Sequence, residues 1–322
     1  MKRFLLGMFA IAAAGGAVAD FPDKPITIVV PFAAGGPTDR VARDFAEALR
    51  RKLGGQTVVI DNAGGAGGTI GAAKVARAKP DGYTLLLHNI GMATAPNLYR
   101  TLPYNALQDF EYLGMVSDVP MTVIGRANLP ASNVVELKQL VANNANKLTI
   151  ANAGVGSAAH LCGLMFQKAM GRMVSVPYKG TAPAMSDLLG GQVDLMCDQT
   201  TNTSAQIASG KLKVYGITTK ERISTTSLAG VPTFDEAGFK DLRVAVWHGL
   251  YAPKGTPVPV VSKLNELLKM SLKDPEFQKR QADLGAVVVT DERTGREAHR
   301  RFMTQEMQRW KPVLAAAGET LD

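Results

Sequence analysis

The sequence predicts an α/β protein made of two similar halves, each a mostly parallel sheet flanked by helices. The first observation is a pair of strand–loop–helix units, one starting at Ile26–Val30 and one at Leu148–Ile150. The second is that both halves continue as strand, loop, helix, strand, loop, helix, strand. Strands that alternate with helices favour parallel sheets with right-handed crossovers. In such sheets ligands bind beyond the carboxyl ends of the strands, so the loops at those ends are the first candidates for a site.

In the first half, short apolar runs predict three strands: Ile26–Val30, Thr57–Ile60 and Tyr83–Leu87. The loop Pro31–Asp39 leads into the first helix, and the glycine-rich turn Asp61–Gly68 leads into a second helix that ends near Ala78. The third strand ends at His88 and Asn89. Each strand is bounded by Gly, Pro, Asn or Asp, the residues that form turns.

In the second half, the predicted strands are Leu148–Ile150, Met173–Pro177 and Val193–Met196. Residues 151–160 form a second loop rich in small residues and lead into a helix. Tyr178–Gly180 precede another helix over Pro183–Leu189. The last of these strands ends at Cys197 and Asp198.

The chain is predicted to cross between the halves twice, at Val119–Ile124 and at Leu242–Val246 with Trp247. The remaining predicted elements are a strand at Lys213–Thr218, a turn-rich stretch at 221–238, an amphipathic helix at 260–272, a short helix after Asp274, a strand at Ala286–Val289 and a helix from Arg293 to about Ala317. The C-terminal elements are too few for a domain, so we dock them on the first half. Domain I then comprises residues 20–121 and 246–322, domain II comprises residues 122–245, and the two crossings form a hinge.

The N-terminus has the pattern of a signal peptide of residues 1–19. Lys2 and Arg3 precede an apolar core of about ten residues, and small residues lead to a cleavage site before Asp20. That core is too short to span a bilayer of roughly 30 Å, although an uncleaved anchor is the alternative. We therefore expect an exported protein.

The formal charge of +8 does not indicate a nucleic-acid partner. The basic residues are scattered, aromatic residues are few, and no recognition motif is present. Ordinary solubility and the capture of anions are both compatible with this charge.

Two loops carry the pattern of an anion site. The first anion loop, Phe32–Thr38, and the second anion loop, Gly154–Ser157, each place small or hydroxyl-bearing residues at the start of a helix. Free backbone N–H groups at a helix N-terminus attract anions. The candidate ligand residues in these loops are Phe32, Ala33, Ala34, Gly36, Thr38, Gly154, Gly156 and Ser157. Two such loops on two similar halves predict one small acidic ligand held between them.

Further candidates follow the ends of other strands: His88, Asn89, Tyr178, Lys179, Asp198 and Thr200. His88 fits a wall residue that donates to the ligand or a structural residue equally well. Lys179 fits a ligand contact or a solvated turn lysine. Asp198 would repel an anion, so we expect it to orient neighbouring donors or water.

Other chemistries fit poorly. Ile70 breaks the G-x-G-x-x-G spacing of a dinucleotide site, and Val155 and Ala159 break the nucleophile elbow around Ser157. The four histidines have no metal-binding spacing, so we expect neither a cofactor nor a metal. Cys162 and Cys197 could pair in an oxidising compartment, but we favour unpaired thiols in the core.

The motifs together resemble a known family. The matching stretches are Pro31–Asp39, Asn62–Gly71, Pro80–Leu86, Gly154–Ser157 with His160 and Leu161, Pro177–Gly180, Gly191–Asp194 and Ala252–Pro257. In this order they are similar to the Bug (TctC-like) solute-binding receptors of tripartite tricarboxylate transporters, over essentially the whole mature chain. The resemblance implies a two-domain Venus-flytrap fold of type II, no catalysis, and a carboxylate gripped by the two anion loops, partly through water.

The resemblance implies a periplasmic receptor that delivers a small carboxylate to membrane permease subunits and acts as a monomer. His88 and Cys197 depart from common members, which would admit an aromatic dicarboxylate such as terephthalate. The alternatives are an exported hydrolase or lyase that uses Ser157 or His88, and a sensor that presents its ligand to a two-component kinase.

Overall fold

The computed structural model describes residues 21–224 and 227–316. The expected signal peptide 1–19 and the predicted helix end at Ala317 lie outside the described residues. The strands are β1 (Ile26–Val30), β2 (Val58–Asn62), β3 (Thr84–Asn89), β4 (Phe110–Arg126), β5 (Thr149–Asn152), β6 (Val174–Pro177), β7 (Leu195–Gln199), β8 (Leu212–Ile217), β9 (Ala245–Pro253) and β10 (Val287–Val288). The α-helices are α1 (Pro37–Lys52), α2 (Thr69–Ala76), α3 (Gly91–Leu98), α4 (Val134–Asn143), α5 (Ala158–Met170), α6 (Thr181–Leu189), α7 (Thr200–Ala208), α8 (Val258–Leu272), α9 (Pro275–Asp283) and α10 (Arg296–Ala316).

The strands form one continuous arrangement in the order β2-β1-β3-β9-β4-β7-β5-β6, and β8 and β10 also pair with β4. Each half has the predicted parallel core. In the first half it consists of β2, β1 and β3, and in the second half of β7, β5 and β6. The strands β4 and β9, which carry the chain between the halves, pair antiparallel with their neighbours. Each half is therefore a mixed sheet rather than a mostly parallel one, because the crossing strands are part of the sheets.

Strand β4 extends from one half into the other. Its first part pairs with β9 as far as Pro120, which lies opposite Ala245. From Met121 onward it pairs with β7, and from Thr122 with β8. The hydroxyl of Thr218 accepts from the Met121 N–H at 3.0 Å and donates to the Val244 carbonyl at 2.6 Å. One side chain thus ties both crossing segments together where β4 changes partners.

The C-terminal helix α10 packs against α3 and β4. The buried carboxylate of Glu306 accepts hydrogen bonds from the indole N–H groups of Trp247, at 2.8 Å, and Trp310, at 3.0 Å. Both indole groups are buried and are satisfied by this one acceptor. Helix α10 is thereby fixed to the second crossing strand.

Cys162 and Cys197 form a disulfide, with their Cα atoms 6.0 Å apart. The expectation of unpaired thiols is wrong, because α5 packs on β7 and turns Cys162 towards the strand that carries Cys197. This bond joins the helix that follows the second anion loop to the strand that ends at Asp198.

Helices α3 and α7 were not predicted from the sequence. They follow β3 and β7 with almost no intervening loop, so no turn residues mark where they begin. In the described part of the chain, no helix is both long and apolar enough to cross a bilayer.

Candidate ligand site

A narrow cavity lies between the two halves at the carboxyl ends of their strands. It has a volume of about 20 Å³ and is lined by residues at the starts of α1, α5 and α6 and at the ends of β3 and β7: Phe32, Pro37, Thr38, Asn89, Ala153, Ser157, Ala158, Ala159, Thr181, Asp198 and Gln199. Among these described lining residues, Asp198 alone carries a group that ionises near neutral pH. The cavity thus presents helix N-termini, hydroxyls and amides rather than cations.

The first anion loop is held in shape by Asp39. Its carboxylate accepts from the Gly35 N–H at 2.9 Å, from the Asn62 amide at 2.9 Å and from Arg43 at 2.8 Å. Burial opposes ionisation, but these hydrogen bonds outweigh it and lower the pKa of Asp39. Asp39 therefore stays charged within the first turn of α1, where the helix dipole favours an anion.

Thr38 connects the cavity to buried polar groups behind it. Its hydroxyl accepts from the Asn89 amide at 3.0 Å and lies 3.3 Å from Nε2 of His248. The side-chain oxygen Oδ1 of Asn89 in turn accepts from the Gly91 N–H at 3.0 Å, at the start of α3. Burial lowers the pKa of His248 to about 3, so its imidazole is neutral and orients Thr38 without adding charge. His248 was not among the residues that the sequence predicted for the site.

The second anion loop is shaped by its own polar side chains. The Ser157 hydroxyl accepts from the His160 N–H at 3.2 Å and caps α5. The Asn152 side chain accepts from the Gly154 N–H at 2.9 Å. Ser157 is almost fully buried and lines the cavity, so its hydroxyl proton can be donated to a ligand.

Asp198 lies at the end of β7, fully buried. Its carboxylate accepts from the Gln199 N–H at 2.8 Å and from the Asn202 amide at 2.5 Å. Burial raises the pKa of Asp198 to about 7, although these hydrogen bonds and the Thr181 hydroxyl partly oppose the rise. Asp198 can therefore exchange a proton near neutral pH in a way that an exposed aspartate cannot.

The two halves touch around the cavity. A β-carbon added to Gly180 would lie 3.0 Å from Ala33, and one added to Gly36 would lie 3.5 Å from the Thr181 hydroxyl. The Thr94 hydroxyl donates to the Gly156 carbonyl at 2.8 Å. Each anion loop thus packs directly on the opposite half.

The structure separates the predicted site residues into groups. Phe32, Thr38, Asn89, Ser157 and Asp198 line the cavity. A second, more open pocket is lined by Gly154, Tyr178 and Lys179 together with Tyr99. The others flank the cavity without lining it: Ala33, Ala34, Gly36, Gly156, His88 and Thr200.

His88 lies behind Phe32 rather than on the wall between the loops. Its ring meets the Phe32 ring edge-on, with the centroids 5.7 Å apart. It fills the space beside Gly68, where a β-carbon would come within 2.9 Å of Nε2. Burial, and then the neighbouring His248, lowers the pKa of His88 to about 3, so it is a neutral packing group. Its effect on a ligand would pass through the position of Phe32.

Several cavity residues were not predicted: Pro37, Ala153, Ala158, Ala159, Thr181 and Gln199. Thr181 directly follows the Tyr178–Gly180 motif and begins α6, so the hydroxyl-at-helix-start pattern that selected Ser157 would have selected it too. Gln199 had no such signal, because α7 was not predicted.

This arrangement defines a class of protein. Two α/β domains joined by crossing strands, with a narrow cavity between them at the carboxyl ends of their strands, form a solute-binding protein of the type II periplasmic-binding-protein fold. Residues 41–318 match the model of the TctC family, described as tripartite tricarboxylate transporter family receptor, and the chain belongs to that family.

Three solved structures show how close the similarity is. The periplasmic binding protein BugD is 52% identical with a TM-score of 0.90, and the match covers 94% of this chain and all of that one. MatC from Rhodopseudomonas palustris, with bound malate, is 37% identical with a TM-score of 0.86 over 91% of this chain and all of MatC. A second R. palustris protein, with adipate, is 31% identical with a TM-score of 0.88 over 94% of this chain and all of that one. The family and these neighbours are solute-binding proteins, so this chain is a binding protein and not an enzyme.

Proposed function

We propose that this protein captures a small dicarboxylate between its two domains and delivers it to a tripartite tricarboxylate transporter. The observation that carries the proposal is the narrow cavity onto which the starts of α1 and α5 converge from opposite halves. Each helix start offers backbone N–H groups and a hydroxyl, from Thr38 in one half and Ser157 in the other. A ligand with a carboxylate at each end can use both sets of donors.

Binding by neutral donors suits a receptor that must also exist without its ligand. A buried lysine or arginine would be costly in the empty protein, whereas hydroxyls and backbone N–H groups are not. When the domains close, water leaves the cavity and each hydrogen bond to the carboxylates becomes stronger. Ligand binding would therefore favour the closed arrangement in proportion to the contacts made by both halves.

The ligands of two similar structures favour an aliphatic acid over an aromatic one. The malate and adipate reported for two of the similar structures are both aliphatic dicarboxylates. His88 packs behind Phe32 and does not line the cavity, so it gives no separate support for an aromatic dicarboxylate such as terephthalate.

The proposal also covers export, oligomeric state and domain organisation. Residues 1–19 would be removed on export, and the mature chain would act as a periplasmic monomer. Domain I would comprise residues 20–121 and 246–322, and domain II residues 122–245, with a hinge where β4 changes partners. Loss of dicarboxylate uptake on deletion of the gene would support delivery to a permease, whereas loss of a transcriptional response alone would support presentation to a kinase.

A thermal-shift screen of mono- and dicarboxylic acids tests the proposal directly. A ligand present at 100 times its dissociation constant should add about 2.7 kcal/mol to the free energy of unfolding. We expect the largest shifts with dicarboxylates of about four to six carbons. The proposal would be contradicted if no carboxylate raised the melting temperature, or if sugars or cations raised it instead.

A further inference from the structure

Helix α3 of the first half contacts the second anion loop beside the cavity. The Thr94 hydroxyl, which is fully buried, donates to the Gly156 carbonyl at 2.8 Å. Leu98 packs on the same loop, since a β-carbon at Gly156 would lie 2.8 Å from Cδ1 of Leu98. The Tyr99 hydroxyl lies 3.4 Å from the Val155 carbonyl oxygen. We call these three side chains of the first half the α3 contact.

The α3 contact joins the two halves without forming part of the cavity wall. Thr94, Leu98 and Tyr99 are not among the described residues that line the cavity. A hydrogen bond weakens steeply once its heavy atoms are more than about 3.5 Å apart. The bond from Thr94 to Gly156 therefore exists only while the two halves touch.

The same bond holds the backbone that carries Ser157. The Gly156 carbonyl and the Ser157 N–H belong to one planar peptide unit. Two other groups of this turn are held within the second half, the Gly156 N–H by Nδ1 of His160 at 3.3 Å and the Ser157 N–H by the Gly154 carbonyl at 3.1 Å. The Gly156 carbonyl, by contrast, is held from the opposite half. Thr94 thus orients the peptide unit directly before the Ser157 side chain.

The start of α3 is fixed to the first anion loop. The side-chain oxygen of Asn89 accepts from the Gly91 N–H at 3.0 Å, and its amide donates to the Thr38 hydroxyl at 3.0 Å. Asn89 and Thr38 both line the cavity. Helix α3 therefore connects the first anion loop, at its start, to the second anion loop.

We infer that Thr94 is a positioning residue for ligand capture, whose hydrogen bond to Gly156 stabilises the closed arrangement and holds Ser157 in place without touching the ligand. The inference rests on the proposed capture of a dicarboxylate between the halves. The apparent dissociation constant is the intrinsic one divided by the fraction of molecules in the binding-competent state. A change at Thr94 should therefore alter the affinity for different ligands by the same factor, and mainly through the dissociation rate.

The test measures binding of succinate and adipate to the full mature chain by calorimetry, with dissociation rates from stopped-flow fluorescence. Thr94→Val keeps the shape of the side chain and removes the donor. It should weaken the binding of both acids by about three- to tenfold through faster dissociation, and leave the ratio of the two affinities unchanged. Unchanged affinities would overturn the inference. A changed ratio would also overturn it, because Thr94 would then act on the ligand itself.

Two comparisons separate this role from a loss of stability. Thr256→Val removes a buried hydroxyl that donates to the Pro253 carbonyl at 2.8 Å within the first half. It should lower the stability in urea as Thr94→Val does, but leave both affinities unchanged. Thr94→Ser keeps the donor and should bind like the wild type, whereas Thr94→Ala lacks only the oxygen atom and should bind about three- to tenfold more weakly. Equal affinities of the serine and alanine variants would overturn the inference, even if Thr94→Val did not fold.

A ligand-free measurement separates the inference from the proposed function. If the wild type binds neither succinate nor adipate, the proposed function fails and X-ray scattering of the ligand-free proteins decides the inference. A larger radius of gyration for Thr94→Val than for the wild type would support it, because fewer molecules would be closed. Equal radii would overturn it.

Discussion

Gly67 lies so close to Val155 in the opposite half that a β-carbon at Gly67 would come within 2.1 Å of the Val155 carbonyl oxygen. Such a contact is impossible without movement of one backbone against the other. The backbone of Gly67 has φ = +62°, which glycine adopts without strain. The glycine-rich turn before α2 therefore allows the second anion loop to approach, and this contact between the two halves depends on the absence of a side chain at Gly67.

Replacement of Gly67 by alanine should hold the domains apart. We expect Gly67→Ala to lower dicarboxylate affinity at least tenfold, measured by calorimetry, and to enlarge the ligand-bound particle in X-ray scattering. Gly54→Ala is a matched control, because Gly54 has φ = +63° and nothing within 4 Å of a new β-carbon. It carries the same backbone strain and should bind normally. Equal affinities of the two variants would argue against closure at this contact.

Ser157 should contribute both to the helix and to the ligand. Ser157→Ala removes the cap of α5, which costs about 1 kcal/mol of stability, and a charge-assisted hydrogen bond worth roughly 1.5–3 kcal/mol of binding. Asn133→Ala removes a comparable cap from α4, away from the cavity. Both variants should lose stability in urea unfolding, but only Ser157→Ala should lose affinity. Unchanged affinity would take Ser157 out of the ligand site.

The Cys162–Cys197 disulfide should be a major part of the stability. It closes a loop of 35 residues, for which the usual contribution is about 2–4 kcal/mol. The double variant Cys162→Ser/Cys197→Ser should unfold at correspondingly lower urea concentration. Reduced wild-type protein should unfold at the same urea concentration as the variant, and reductant should not change the stability of the variant. Equal stability of the oxidised wild type and the variant would mean that the thiols are not paired.

Acid should destabilise the protein through three buried histidines. Burial lowers the pKa values of His88, His248 and His299 to about 3, below the ordinary value of 6.5. The unfolded chain thus binds more protons between pH 6.5 and 3, and the stability present above pH 6.5 is lost as the pH falls. The raised pKa of Asp198, about 7, acts in the opposite direction from pH 7 down to its unfolded value of 3.8.

Three histidines against one aspartate leave a net loss on the order of 3 kcal/mol per pH unit below 6.5. Urea unfolding of the ligand-free protein at pH 7.0 and 5.0 measures it. His299→Gln removes one of the titrating groups at a site far from the cavity and should flatten the dependence by about half. Stability that is constant or higher at pH 5.0 would show that these histidines are not buried in the neutral form.

The sequence was sufficient to predict the strands and both anion loops, because apolar runs and small residues at helix starts are local patterns. The loops Phe32–Thr38 and Gly154–Ser157 indeed flank one cavity. The places where prediction failed depend on distant contacts. The pairing of Cys162 with Cys197 requires α5 to lie on β7, and spacing alone does not reveal that.

The same limit applies to the cavity wall. Gln199 enters it only because α7 begins directly after β7, with no turn residue to announce a helix. His88 and His248 have similar sequence surroundings at strand positions, yet His88 packs behind Phe32 while His248 supports Thr38. Which buried histidine reaches the site is decided by strand register, since Asn89 lies opposite His248 in the β3–β9 pair.

The central claim is that each anion loop holds one carboxylate of the same ligand. Calorimetry of the wild-type protein with matched pairs, succinate against butyrate and adipate against hexanoate, tests it most directly. If both loops bind, the better dicarboxylate should bind at least tenfold more tightly than its monocarboxylate, because each unfilled charge-assisted contact forfeits up to a few kcal/mol. Equal affinities within both pairs would show that only one carboxylate is recognised and would contradict the account.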